Sequence, residues 1–125
     1  MNPDKQILVI DDDAAVRDAF LLAIRPLGFS VETCASVDGA LRVLDTVQPD
    51  LVFLDLRMPG KSGADFLLSD QALQLGCPIY VVTAFLPDYF DELQRARAAG
   101  ADFDVLAKPV AREKIQEVTR GALLS

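Results

Sequence analysis

The sequence predicts a doubly wound α/β domain, with a parallel five-stranded sheet in the order 2-1-3-4-5 and five helices on its two faces. Two observations carry this expectation. Four short apolar runs recur along the chain, at residues 7–10, 51–54, 79–82 and 105–107. Uninterrupted runs of that length are how strands buried on both faces read. The stretches between them show helical spacing and polar caps, so strand and helix alternate.

The elements follow in order. After the run at 7–10, Val16, Ala19, Phe20, Ala23 and Ile24 keep helical spacing, and Pro26 closes that helix near Arg25. A weaker strand is expected at residues 30–34. Ser36 is placed to cap a second helix with a stripe of Ala40, Leu41, Leu44 and Val47. Beyond the strand at 51–54, Ser62 with Asp65 has the form of a capping box for a third helix running to Gly76. Asp88 and Asp91 repeat that spacing ahead of Leu93 and Ala96, and Ile115, Val118 and Ala122 mark a final helix. One domain over residues 1–125 accounts for every element and leaves no room within the chain for an output domain.

Composition narrows the function. The 125 residues are 51% hydrophobic and 25% charged, with a net charge of −7. Such a surface repels nucleic-acid phosphates, so no direct nucleic-acid partner is expected. No apolar run reaches the roughly 18–20 residues that span a bilayer, and no signal peptide opens the chain, so a cytoplasmic protein without membrane insertion is expected. Histidine is absent, which removes Ser-His and Cys-His nucleophiles and imidazole ligands. Cys34 and Cys77 lack metal-ligand spacing and read as reduced thiols at the edges of apolar segments.

In a doubly wound sheet, sites form beyond the carboxyl ends of the strands. Those ends carry Asp11, Asp12 and Asp13, then Asp55, then Thr83, then Lys108 before Pro109. Asp13 reads as the cap of the first helix. Asp11, Asp12 and Asp55 together form an oxygen-only set whose mutual repulsion calls for a cation, and such a set suits Mg²⁺ or Mn²⁺. Lys108 supplies a further positive charge.

Taken together, Ile7-Leu8-Val9-Ile10-Asp11-Asp12-Asp13, Leu54-Asp55-Leu56-Arg57-Met58-Pro59-Gly60, Val81-Val82-Thr83-Ala84 and Lys108-Pro109 resemble the receiver domain of two-component response regulators. The resemblance runs from about residue 5 to 122 and implies the flavodoxin-like strand order given above. It implies that Asp55 is the phosphoacceptor, with Mg²⁺ bound by Asp12 directly, by Asp11 through water, by Asp55 and by the Arg57 carbonyl. Thr83 and Lys108 would contact the phosphoryl oxygens. A sensor histidine kinase or phosphotransfer protein would supply the phosphoryl group, and an effector domain or protein partner would read the result. It further implies a cis Lys108-Pro109 bond, and that Arg57 and Phe85 flank the water that removes the phosphoryl group. Such a protein hydrolyses its own aspartyl phosphate and is not a multiple-turnover enzyme.

Between Thr83 and Lys108 the chain is longer than receivers usually are. The switch aromatic that receivers place three positions before the lysine is here Val105, with Phe103 as the substitute if the strand start is bulged. Tyr89 and Phe90 read as core residues at a helix start, or as part of a partner surface. Three other functions compete. A haloacid-dehalogenase-like phosphatase would use Asp11 and Asp13 but leave residues 55–60 without a role. A flavodoxin-like FMN carrier would have to seat a phosphate against three aspartates. A phosphorylation-independent interaction module would have no need of the acidic site.

Overall fold

The computed structural model describes residues 5–84 and 86–124. Its strands are β1 (Gln6–Ile10), β2 (Ser30–Cys34), β3 (Leu51–Asp55), β4 (Ile79–Thr83) and β5 (Asp104–Ala107). They form one parallel sheet in the order β2-β1-β3-β4-β5, as expected. The order reverses at β1, so the carboxyl ends of β1 and β3 lie side by side, with Ile10 opposite Leu54. That reversal opens the crevice in which Asp11 and Asp55 meet.

Alternation along the strands divides the core into two layers. Leu8, Ile10, Val52, Leu54 and Val81 face one side, and Ile7, Val9, Leu51, Phe53 and Val82 face the other. The first layer is covered by Val37, Ala40, Phe66, Leu67, Leu93 and Ala96, and the second by Phe20, Ala23, Ile24, Ile115 and Val118. Each fully buried large aliphatic or Phe side chain contributes roughly 1.5–3 kcal/mol relative to exposure. Phe53 also packs on Phe20, with ring centroids 4.9 Å apart.

The helices are α1 (Ala14–Ile24), α2 (Val37–Val43), α3 (Gly63–Leu67), α4 (Asp70–Leu73), α5 (Phe90–Ala98) and α6 (Arg112–Leu123). Asp13 caps α1 by accepting from the Ala15 amide, and Ser36 caps α2 by accepting from Gly39. Ser62 and Asp65 form the anticipated capping box. The chain turns away near Gly76, at φ +67°, where only glycine is unstrained.

Two expectations need correction. The helix expected from Ser62 to Gly76 is two short helices, giving six among the described residues in place of five. Ser69 causes the break: its hydroxyl donates to the Phe66 carbonyl at 2.6 Å and accepts from the Ala72 amide at 3.1 Å. A hydroxyl that satisfies both groups ends one helix and starts the next. Asp88 and Asp91 do not form a capping box. Asp88 lies in a 3-10 turn, Leu86–Tyr89, and α5 begins at Phe90 with no side-chain cap. The turn takes up residues of the lengthened connection, while Leu93 and Ala96 are buried as expected.

The start of β5 is regular: Asp104 pairs with Tyr80 and Val105 with Val81, so no bulge turns Phe103 outward. Phe103 is 4% exposed and lies under the Arg97 guanidinium, 4.0 Å from ring centroid to Cζ, while Val105 stands on the exposed side. Arg97 also donates to the Phe103 carbonyl at 2.9 Å. Cys34 is buried and Cys77 half-buried, and both are free thiols. No helix among the described residues is long and apolar enough to cross a membrane.

Candidate functional site

Each site residue leaves a strand end and is held there by the backbone. Asp11 follows β1, and its amide extends the sheet by donating to the Cys34 carbonyl at 3.0 Å. Asp55 is the last residue of β3 and Thr83 the last of β4. Lys108 follows β5, and its amide donates to the Thr83 carbonyl at 2.9 Å. The Lys108-Pro109 bond is cis. Five residues named from sequence thus converge on one crevice with Arg57, and Asp13 stands beside them as a helix cap.

Asp11 and Asp55 are almost fully buried, and Asp12 is exposed. The three carboxylates each present an oxygen within 4.8 Å of the others. Lys108 Nζ lies 3.1 Å from Asp11 Oδ2 and 3.1 Å from Asp55 Oδ1. One ammonium therefore serves two buried anions, and a third stands close by. Asp11 Oδ1 also accepts from the Asp13 amide at 2.9 Å, and the Arg57 amide donates to Asp55.

Burial pushes the Asp55 carboxyl above the ordinary carboxylate range, and the Asp11 charge adds to this. The Lys108 hydrogen bond and the Arg57 amide offset only part of it. Burial works against the Lys108 ammonium, but the bonds and charges of Asp55 and Asp11 outweigh it and raise Lys108 above the ordinary lysine value. The crevice retains an excess of negative charge, which a divalent cation with oxygen ligands relieves.

Gly63 makes this strand end possible. Its amide donates to the Leu56 carbonyl at 3.0 Å, so the start of α3 rests against the end of β3. A Cβ on Gly63 would fall 2.5 Å from the Asp55 carbonyl oxygen and 2.8 Å from Leu56 Cα. Only a residue without a side chain fits that approach.

The crevice has a volume of about 530 Å³, and Met58, Asp88 and Tyr89 also line it. Sequence reasoning did not place these three in the site. The signal for Asp88 and Tyr89 was the extra length after Thr83, whose 3-10 turn brings them back over the strand ends. Tyr89 is half-buried against the core and Phe90 is 54% exposed, so the two rings divide between the alternatives raised for them. Phe85 lies outside the described residues.

A family model described as the response regulator receiver domain matches residues 7–120. The chain belongs to that family. Among its relatives, response regulator MprA of Mycolicibacterium vanbaalenii is 36% identical over 118 residues, covering 94% of this receiver domain and 50% of the relative. The phosphate regulon transcriptional regulatory protein PhoB of Klebsiella pneumoniae is 30% identical, covering 89% of the receiver domain and 48% of PhoB. The receiver domain thus spans about half the length of these curated relatives. Among solved structures, a CheY-like receiver from Methanospirillum hungatei superposes with a TM-score of 0.81 at 26% identity, covering 94% and 91% of the two chains. TrrA from Thermotoga maritima, solved in complex with Mg²⁺-BeF, gives 0.77 at 27% identity, covering 95% and 99%.

Proposed function

We propose that this receiver domain is a phosphoacceptor switch in which Asp55 takes a phosphoryl group from a partner histidine kinase or phosphotransfer protein. The observation that carries this is the position of Lys108 Nζ, 3.1 Å from both Asp55 and Asp11 at the reversal point of the sheet. The buried Asp55 carboxylate, held at Oδ1 by the Lys108 ammonium, supplies the attacking oxygen. In the transfer, that oxygen forms a bond to phosphorus as the bond from phosphorus to the donor nitrogen breaks.

Lys108 draws the negative charge that builds on the phosphoryl oxygens, and Thr83, at the neighbouring strand end, offers them a hydroxyl. Mg²⁺ (or Mn²⁺) bound by Asp11, Asp12 and Asp55, with the Arg57 carbonyl, would neutralise the remaining charge on the transferred group. The donor set fits such an ion, being oxygen-only, clustered and in excess over its cation. The added group brings about two negative charges, which shift the surface offered to an effector domain or protein partner. The reading places one receiver unit over residues 1–125, acting in the cytoplasm.

The phosphatase alternative is disfavoured by Asp13, whose carboxylate is engaged by the Ala15 amide at 2.9 Å. Incubation with acetyl phosphate and Mg²⁺ should give one phosphoryl group per chain, lost in Asp55→Asn, with no sustained turnover of a phosphatase substrate. Undiminished labelling of Asp55→Asn, or continuous hydrolysis of a phosphatase substrate such as p-nitrophenyl phosphate, would overturn the proposal.

A further inference from the structure

The proposed chemistry leaves two residues of the crevice wall without a task, Asp88 and Tyr89. Both belong to the 3-10 turn after β4, the strand that ends in Thr83. Tyr89 is half-buried. It borders the crevice and packs against the core layer beneath α3 and α5. That placement suits an amphipathic ring, with its apolar body in the core and a hydroxyl available to a polar cleft.

Leu86 and Phe90, which flank this stretch, are 40% and 54% exposed and line an outer groove with Asp91 and Glu92. Asp88 borders both the crevice and the groove. Tyr89 occupies the N-cap position of α5 without a capping side-chain bond, so the turn can rearrange without losing one. At β5 the outward side chain is Val105, which has no ring to swing, and Phe103 is pinned beneath Arg97.

We propose that Tyr89 senses what occupies the crevice at Asp55 and passes that state to the surface carrying Leu86 and Phe90. This rests on Asp55 being the phosphoacceptor. A phosphoryl group would add about two negative charges beside Asp88, which repels them. The Tyr89 hydroxyl is the hydrogen-bond donor on that wall, and it closes on the phosphoryl oxygens as Asp88 turns outward. Leu86 moves with them as a member of the same short turn, and Phe90 because it follows Tyr89 directly as the first residue of α5.

The chain has two tyrosines, Tyr80 and Tyr89, so a 3-fluorotyrosine-labelled protein gives two ring signals by fluorine NMR, assigned with Tyr80→Phe. Beryllofluoride with Mg²⁺ serves as the probe, and its bound fluorides report in the same spectrum. The expected result is a shifted Tyr89 signal with Tyr80, on the opposite sheet face, little changed. Bound-fluoride signals with an unmoved Tyr89 would overturn the proposal while leaving the phosphoacceptor reading intact. Absence of bound fluoride would overturn both. Tyr89→Phe keeps the ring and loses the donor, so beryllofluoride affinity should fall about tenfold with an unchanged melting temperature. Unchanged affinity in that variant would also overturn it.

Discussion

Lys108 Nζ stands 3.1 Å from Asp55 Oδ1, joining the end of the last strand to the end of the central one. Asp11 competes for the same ammonium at an equal distance. The crevice is consequently under-neutralised, and its response to substitution, metal and pH follows from that imbalance.

Removing the Asp55 charge should relieve the cluster. The raised carboxyl means that the folded state holds the Asp55 proton more tightly than the unfolded chain does. Ionisation therefore subtracts stability as pH rises through that raised value. Asp55→Asn should unfold at the same free energy as the parent or up to about 1 kcal/mol higher at pH 7. Urea denaturation measures this, and a clearly less stable variant would contradict it.

Divalent cations should stabilise the parent for the same reason. At a Mg²⁺ concentration ten times the dissociation constant, mass action adds about 1.4 kcal/mol. Asp12→Ala should lose most of this gain and Asp11→Ala less, because Asp11 remains paired with Lys108 in the parent and belongs to the water-mediated part of the proposed set. Thermal melts with and without Mg²⁺ test the ranking.

Gly63→Ala tests the contact between α3 and the end of β3 that carries Asp55. The added methyl meets the backbone of the Asp55–Leu56 peptide, which does not rotate away as a side chain would. A loss of roughly 1–3 kcal/mol is expected, together with slower labelling of Asp55 as its strand end is displaced. A fully stable variant labelled at the parent rate would show that the helix start yields instead.

The thiols set a limit at high pH. Burial raises Cys34 and Cys77 from 9.0 to about 11. At pH 8 only about one thiol in a thousand is then ionised, so iodoacetamide should label the folded protein far more slowly than the denatured one. A raised folded-state value stabilises the fold below pH 9 and is lost as pH rises towards 11. Stability should fall across that window, and Cys34→Ala should flatten part of the decline.

Much of this was legible before any coordinates. Ile7 to Ile10 and Leu51 to Leu54 read as buried strands because both of their faces are covered, and apolar continuity records that directly. Asp11, Asp55, Thr83 and Lys108 were legible because strand ends in a doubly wound sheet must converge. The break at Ser69 was not, since a hydroxyl that serves two helices looks the same in sequence as one exposed on a single helix. Asp88 was mistaken for a cap because an acidic residue three positions before another fits that device as well as it fits a 3-10 turn. Tyr89 was read as core or partner surface and not as crevice wall, because its ring borders core and crevice together and sequence patterns record only the first.

Residues 11, 55, 83 and 108 are drawn from almost the whole length of the chain, and Lys108 arrives only once β5 has paired with β4. No fragment that stops short of that pairing contains the ammonium, however well its earlier strands are formed. Under the proposed function, a chain still emerging during synthesis, or one with β5 detached, lacks the positioned charge that assists transfer and should be labelled slowly. Efficient labelling of Asp55 would then serve as a certificate of completed folding, given mainly to molecules that are whole.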